Sequence, residues 1–191
     1  MPPDAHAADP AADIELIKQW RSGDERAART LVERHAESLA RFAASQGERE
    51  EVDELVQDTF VRAFGAIDTF RADSSFRTWL FTIERRLILD RRRSQRRRRD
   101  DTELDERDAA TAFDALDSMV AEETAQRIRA AVAALSPMQR DVFTLRLTEG
   151  LSYRDIAELL DSTEGAARVH YHNALRAVRD LLDDDAQARS G

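Results

Sequence analysis

Apolar positions along this chain recur at intervals of three and four, the spacing that gathers them on one face of an α-helix, and no segment alternates as a half-buried strand would. Asp13 stands where it can cap a short helix carrying Ile14, Ile17 and Trp20, which Gly23 ends. After Asp24 a longer run places Ala28, Leu31, Val32, His35, Leu39 and Phe42 on one side and closes near Gly47. Val52, Leu55, Val56, Phe60 and Phe64 define a third helix up to Gly65. A fourth begins after Ser74 or Ser75 with Phe76, Leu80, Ile83 and Leu87 as its inward stripe, and Trp79 beside it.

From Asp100 to about Val120 this periodicity fades, although Phe113, Leu116 and Val120 could form a weak helical turn. It returns near Glu122 with Ile128, Val132 and Leu135. Ser136-Pro137-Met138-Gln139 combines a capping serine, a proline at the first helical position and a glutamine that can reach back to the cap, a strong start signal. Ser152-Tyr153-Arg154-Asp155 opens another helix running to Leu160, and Asp161-Ser162-Thr163 forms the turn before a long last helix. The pattern predicts an all-α chain of two small helical domains, 13–99 and 122–183, joined by an acidic flexible linker over 100–121. Residues 1–12 are expected to be a disordered leader and 184–191 a tail, and the second domain a helix-turn-helix.

Charge sharpens that picture. The 191 residues carry a net charge of −9, yet residues 71–99 hold eleven arginines against three acids, a local +8, while residues 100–123 hold ten acids against one arginine, a local −9. Such blocks favour an interaction role over an ordinary solvated surface, which mixes signs. With no cysteine and four scattered histidines, neither a disulfide nor a metal site is expected, and no cofactor. The sequence holds no Gly-rich phosphate loop and no nucleophile motif, so an enzyme is the least supported class. The first dozen residues have neither a basic start nor an apolar centre, and no window reaches the length of a membrane span, so a cytoplasmic protein without membrane insertion is expected.

Helical geometry then tells which side chains share a face. In the last helix Ala167, Tyr171, Ala174 and Val178 form one stripe, continued by Leu181 or Leu182, while Gly165, Arg168, Val169, His172 and Arg176 occupy the other with Asn173 at its margin. In a helix-turn-helix that outer face enters the major groove, where arginine pairs with guanine, asparagine with adenine and an apolar group with the thymine methyl. A polar face on an ordinary helical hairpin is the plainer alternative. On the arginine-rich helix, inward Phe76, Leu80, Ile83 and Leu87 would leave Phe81, Arg85, Arg92 and Arg96 outward, a cationic row along a phosphate backbone with an aromatic for stacking on an unpaired base. RNA binding, or a merely solubilising run, competes with that reading.

Three segments in order carry a resemblance. DELVQDTFVRAF resembles the polymerase-docking segment of the extracytoplasmic-function (ECF) sigma factors, SSFRTWLFTIERRLILDRRR is similar to their minus-ten segment, and LSPMQRDVFTLRLTEGLSYRDIAELLDSTEGAARV to their minus-thirty-five segment; together they span nearly the whole of 13–183. The resemblance implies a bacterial transcription initiation factor whose partners are core RNA polymerase, through its two large subunits, and promoter DNA. Family members are commonly held by an anti-sigma protein. By the same likeness Asp53, Glu54, Leu55, Gln57, Asp58, Phe60 and Phe64 dock polymerase, although Leu55, Phe60 and Phe64 also suit a core. Arg71, Ser74, Ser75, Phe76, Arg77 and Thr78 fall in the part that captures unpaired minus-ten bases, and Arg85, Asp90, Arg91 and Arg92 in the part that contacts duplex and separates strands, to which helical geometry adds Phe81 and Arg96 on the outward face. Tyr153, Arg154, Thr163, Glu164, Gly165, Arg168, Val169, His172, Asn173 and Arg176 match the minus-thirty-five reader.

The chain departs from the family pattern at Glu84-Arg85-Arg86, where Ala-Arg-Asn is usual, at Asn173 in place of an arginine, and at Asp161 in place of a turn glycine. Those changes bear on the promoter sequence and leave the fold intact. The pair around GLSYRDIAELL also resembles the output domain of response regulators, so a conventional helix-turn-helix regulator acting without polymerase is the alternative, one that leaves the first half of the chain unexplained.

Overall fold

Local chemistry sets the helix boundaries in the computed structural model, which describes residues 10–48, 51–100 and 119–188. Among the described residues the chain forms α1 (Pro10–Arg21), α2 (Glu25–Ser45), α3 (Val52–Gly65), α4 (Phe76–Asp100), α5 (Met119–Ala133), α6 (Pro137–Leu147), α7 (Tyr153–Leu159) and α8 (Glu164–Ala188), with a 3₁₀ turn at Ile67–Thr69 and no strand. The all-α expectation holds. Two compact units divide these elements, one carrying α1 to α4 and the other α5 to α8. Most of the expected acidic linker, with residues 1–9 of the leader and 189–191 of the tail, lies outside the described residues.

Three helix ends differ from the sequence expectation: α1 opens at Pro10, α5 at Met119, and α8 continues past residue 183 to Ala188. Proline suits a first helical turn because its missing N–H would have no partner there. Asp13 is therefore not a cap. It lies one turn inside α1, 1% exposed, where its carboxylate accepts from Arg34 Nη1 at 3.2 Å and pairs with His35 Nε2 at 2.9 Å, tying α1 to α2. The end of α1 follows expectation. The amides of Gly23 and Asp24 donate back to Trp20 and Gln19 at 2.9 and 3.0 Å, a closure needing the left-handed conformation that Gly23 adopts at φ +98°. Asp24 Oδ1 then accepts from the Arg26 amide at 2.9 Å and starts α2.

The first unit closes around α4. Phe76, Leu80 and Leu87 are buried as expected, but Ile83 is only half-buried, and Phe81, expected outward, is fully buried. Its ring meets Phe42 of α2 edge-on at 5.4 Å. The reason is that α4 packs on more than one neighbour: Phe81 and Ile88, seven residues apart, form a second buried stripe beside Phe76, Leu80, Glu84 and Leu87. A helix enclosed over so wide an arc leaves less surface for cations than a single inward stripe would.

In the second unit both serine caps form. Ser136 Oγ accepts from the Gln139 amide while the Gln139 side chain accepts from the Ser136 amide at 3.2 Å, a reciprocal box with Pro137 at the first position. Arg140 reaches back to accepting carbonyls at the end of α5, Val132 at 3.3 Å and Leu135 at 3.2 Å. Ala131, Leu135, Phe143, Ala174 and Val178 form a core, with Val132, Tyr171 and Leu182 packed against it. Ile128 and Leu181 fall outside it, 42% and 40% exposed, because Ala131 and Leu182 face inward in their stead.

The tight turn between α7 and α8 is a Schellman closure. The Ser162 amide donates to Ala157 at 2.8 Å and the Asp161 amide to Glu158 at 3.3 Å, with Asp161 in the left-handed region at φ +53°. Aspartate tolerates that conformation better than most residues, which is how the turn forms without glycine.

Phe81→Ala is expected to destabilise the first unit by about 3–5 kcal/mol, the cost of emptying a buried phenylalanine site. Urea unfolding of the variant checks this; a loss below about 1 kcal/mol would be the behaviour of a surface ring.

Candidate docking and nucleic-acid interfaces

Helix α3 sorts the residues of the docking segment onto two sides. Leu55, Thr59, Phe60 and Ala63 form its buried stripe, so Leu55 and Phe60 are core residues that set the helix on α4 and offer no side chain to a partner. Phe64 is half-buried, stacked on Phe60 at 6.0 Å and tilted on Trp20 at 5.2 Å. Asp53, Glu54 and Gln57 are exposed and Asp58 is half-exposed. Sequence reading missed Val61, which lies four residues beyond Gln57 and is 64% exposed. A valine on the side opposite the Leu55–Thr59–Ala63 stripe was the available signal.

Arg91 of α4 crosses to this face. Its Nη1 lies 2.8 Å from Glu51, and its Nη2 lies 3.2 Å from Asp58 and 3.5 Å from Glu54, with the side chain 17% exposed. Arg92 Nε stands 3.7 Å from Glu48, whose carboxyl burial holds above the ordinary carboxylate range while Arg92 and Arg91 pull it down. Arg93 and Arg96 point to solvent.

Ahead of α4, the segment from Phe70 to Ser75 makes a sharp turn. Ala72 sits at φ +60°, a conformation costing a non-glycine residue about 1 kcal/mol, and Arg71 and Asp73 beside it are exposed. Ser75 caps α4: its Oγ accepts from the Thr78 amide at 3.0 Å and meets the Thr78 hydroxyl at 2.9 Å. Thr78 is 1% exposed and so is Phe76, whose ring is packed among His35, Phe70 and Trp79. Phe76, Thr78 and Phe81 thus hold the segment from beneath, leaving Arg71, half-exposed Ser74, and Arg77, whose guanidinium lies 5.5 Å from the centre of the Phe81 ring. Arg85 is half-buried, and Glu84, at the usual place of an alanine, is wholly buried.

On α8 the outward face is as the spacing predicts. Gly165, Arg168, Val169, His172 and Arg176 are exposed, Val169 at 58%, while Asn173 is half-buried and accepts from Arg176 Nη2 at 2.9 Å. Thr163 opens the helix, its hydroxyl accepting from the Ala166 amide at 3.2 Å. Glu164 pairs with Arg168 at 3.2 Å. Tyr153, at the start of α7, is clasped between two cations: the guanidinium of Arg146 lies 4.9 Å from its ring centre and that of Arg168 lies 4.8 Å from it. Arg154 is exposed beside it.

Comparison with known proteins bears on these faces. Residues 31–98 match the family model for Sigma-70 region 2, and residues 125–178 that for Sigma-70, region 4. The ECF RNA polymerase sigma factor BldN of Streptomyces coelicolor is 30% identical over 183 residues, 94% of this chain and 69% of the relative. This chain belongs to the ECF sigma factors. The ECF RNA polymerase sigma-E factor of Escherichia coli K12 is 29% identical over 175 residues, covering 87% of this chain and 92% of that one. Among solved structures, CnrH in complex with the cytosolic domain of CnrY matches with a TM-score of 0.69 at 31% identity, over 91% of this chain and 99% of the other. The sigma factor RpoE of Bartonella quintana, solved with the anti-sigma factor NepR, matches with a TM-score of 0.68 at 26% identity, over 81% and 96%.

Within this sigma factor the clasp on Tyr153 joins α6, α7 and α8, and Arg146 is the member that sequence reading missed. Nothing local marks it, since it lies seven residues ahead of Tyr153 across a turn. Among the described residues no helix is long and apolar enough to cross a membrane. Tyr153→Leu is expected to destabilise the second unit by about 1–2 kcal/mol by removing both cation–π contacts, and Tyr153→Phe by less than about 0.5 kcal/mol because the ring face remains. Urea unfolding of the two variants separates these outcomes.

Proposed function

We propose that this sigma factor docks core RNA polymerase through the exposed face of α3, on the clamp helices of the largest subunit, with the second unit on the flap of the other large subunit. The assignment divides the chain as 13–99 for docking and minus-ten recognition, 100–121 as an acidic linker and 122–183 for minus-thirty-five recognition. The observation that carries it is the pairing of two features in one chain: an acidic and apolar surface on α3, Asp53, Glu54, Gln57, Asp58 and Val61, and a capped helix-turn-helix with base-reading side chains outward on α8. A conventional regulator needs only the second.

Roles follow from exposure. Arg168, Val169, His172 and Arg176 face the major groove, where arginine suits guanine and Val169 a thymine methyl. Arg71, Ser74 and Arg77 border the segment that takes unpaired minus-ten bases, on the platform of Phe70, Phe76 and Phe81. Extruding a base costs a few kcal/mol, so strand separation is affordable only with polymerase and both DNA contacts engaged. The protein acts in the cytoplasm as a binding factor and not as an enzyme. Its regulator is an anti-sigma protein covering the docking faces, a reading supported by the relative solved with the anti-sigma factor NepR.

Free factor is expected to bind promoter DNA weakly and the holoenzyme tightly; an electrophoretic shift with equal affinity in the two states would remove the proposal. Arg168→Ala is expected to change the preferred upstream element, while Arg96→Ala weakens binding to all sequences, since base contacts specify and phosphate contacts position. Selection from a randomised promoter library reads both, and an unchanged preference in the Arg168 variant would contradict the assignment.

A further inference from the structure

Resemblance puts Arg91 among the DNA contacts, and its geometry argues otherwise. A phosphate contact needs a guanidinium fork turned to solvent. Both Nη atoms of Arg91 are instead occupied by Glu51, Glu54 and Asp58 at 2.8, 3.5 and 3.2 Å, and the side chain is 17% exposed. Three carboxylates around one cation leave a local charge of −2, which repels a phosphate. On the next helical positions Arg93 is 70% exposed and Arg96 and Arg97 face solvent, so the helix has cations for a backbone without Arg91.

We infer that Arg91 is a positioning residue of the polymerase-docking face, holding Glu51, Glu54 and Asp58 in place, and not a DNA contact. This rests on the docking assignment for α3. Glu51, Glu54 and Asp58 succeed one another at spacings of three and four on α3 and its first cap position, where like charges repel one another. Arg91 offsets that repulsion and fixes the carboxylates beside Gln57 and Val61. The resulting surface, acidic with one exposed apolar side chain, fits a basic, partly apolar surface on polymerase.

The test uses the full chain, core RNA polymerase and a promoter fragment selected by the wild-type holoenzyme. Core affinity is read from the anisotropy of the labelled factor, and phosphate contacts from the slope of log binding constant against log salt with the factor saturated by core. Arg91→Gln is expected to weaken core binding about fivefold, on the order of a coupled, partly buried ion-pair cluster, and to leave the salt slope unchanged. Arg96→Gln is expected to keep core affinity and reduce the slope by about 0.9, one phosphate. Arg91→Lys, which keeps a charge without the fork, should lose about half as much in logarithmic terms, and gives a readout if the glutamine variant folds poorly. In a Glu51→Gln, Glu54→Gln, Asp58→Asn background, Arg91→Gln should cost less than twofold further, since its three carboxylate partners are gone. Core affinity within twofold of wild type for Arg91→Gln, or a salt slope lowered as in Arg96→Gln, overturns the inference while wild-type binding keeps the docking assignment. Failure of the wild-type chain to bind core overturns both.

Discussion

One helix in this protein has to serve two opposite surroundings. The first three turns of α4 are enclosed by neighbouring helices, with Phe76, Leu80, Phe81, Leu87 and Ile88 buried, and its end carries arginines in water. An enclosed helix cannot give its inner arc to cations, because an unpaired buried charge costs several kcal/mol. Arg91 and Arg92, where the packed part ends, find carboxylates on adjoining elements, while Arg93 and Arg96 further along are exposed.

The same logic shapes the minus-ten segment. Its aromatics are not displayed for bases. They pack as Phe70, Phe76 and Trp79 about one another, with His35 and its Asp13 partner behind, so that the exposed turn at Ala72 stands on a rigid floor. Capping at Ser75 fixes the point at which the turn becomes helix. Under the proposed minus-ten role, a segment that accepts an extruded base gains by having its surroundings ordered beforehand, since less ordering is left to do on binding.

In the second unit precision comes from short-range bonds around a small core. The caps at Ser136, Ser152 and Thr163 and the left-handed Asp161 set where each helix starts and stops. The Tyr153 clasp then joins the three helices that converge on the proposed reading face, and Glu164 holds Arg168 in the same network. A guanidinium held in this way retains exposure while losing freedom, which suits direct recognition of a base edge.

How much of this was legible beforehand divides along physical lines. Helix identity, the caps at Ser136 and Ser152, the Gly23 stop, the outward face of α8 and the family itself are written in local spacing and residue type, because capping, helical periodicity and turn chemistry act over a few residues. What local pattern could not decide was how many sides of a helix are covered. That is why Phe81 proved to be core, Ile83 and Ile128 lay less buried than their spacing implied, and Asp13 served as a buried link to His35 and not as a cap. Nor could it tell an arginine that meets solvent from one that meets acids forty residues away, as Arg91 meets Glu51. The sequence by itself determined which helices form and which chemistry they carry; only the tertiary structure decided which of those side chains remain available, since exposure is a property of neighbours brought together by packing and not of any residue's own position in the chain.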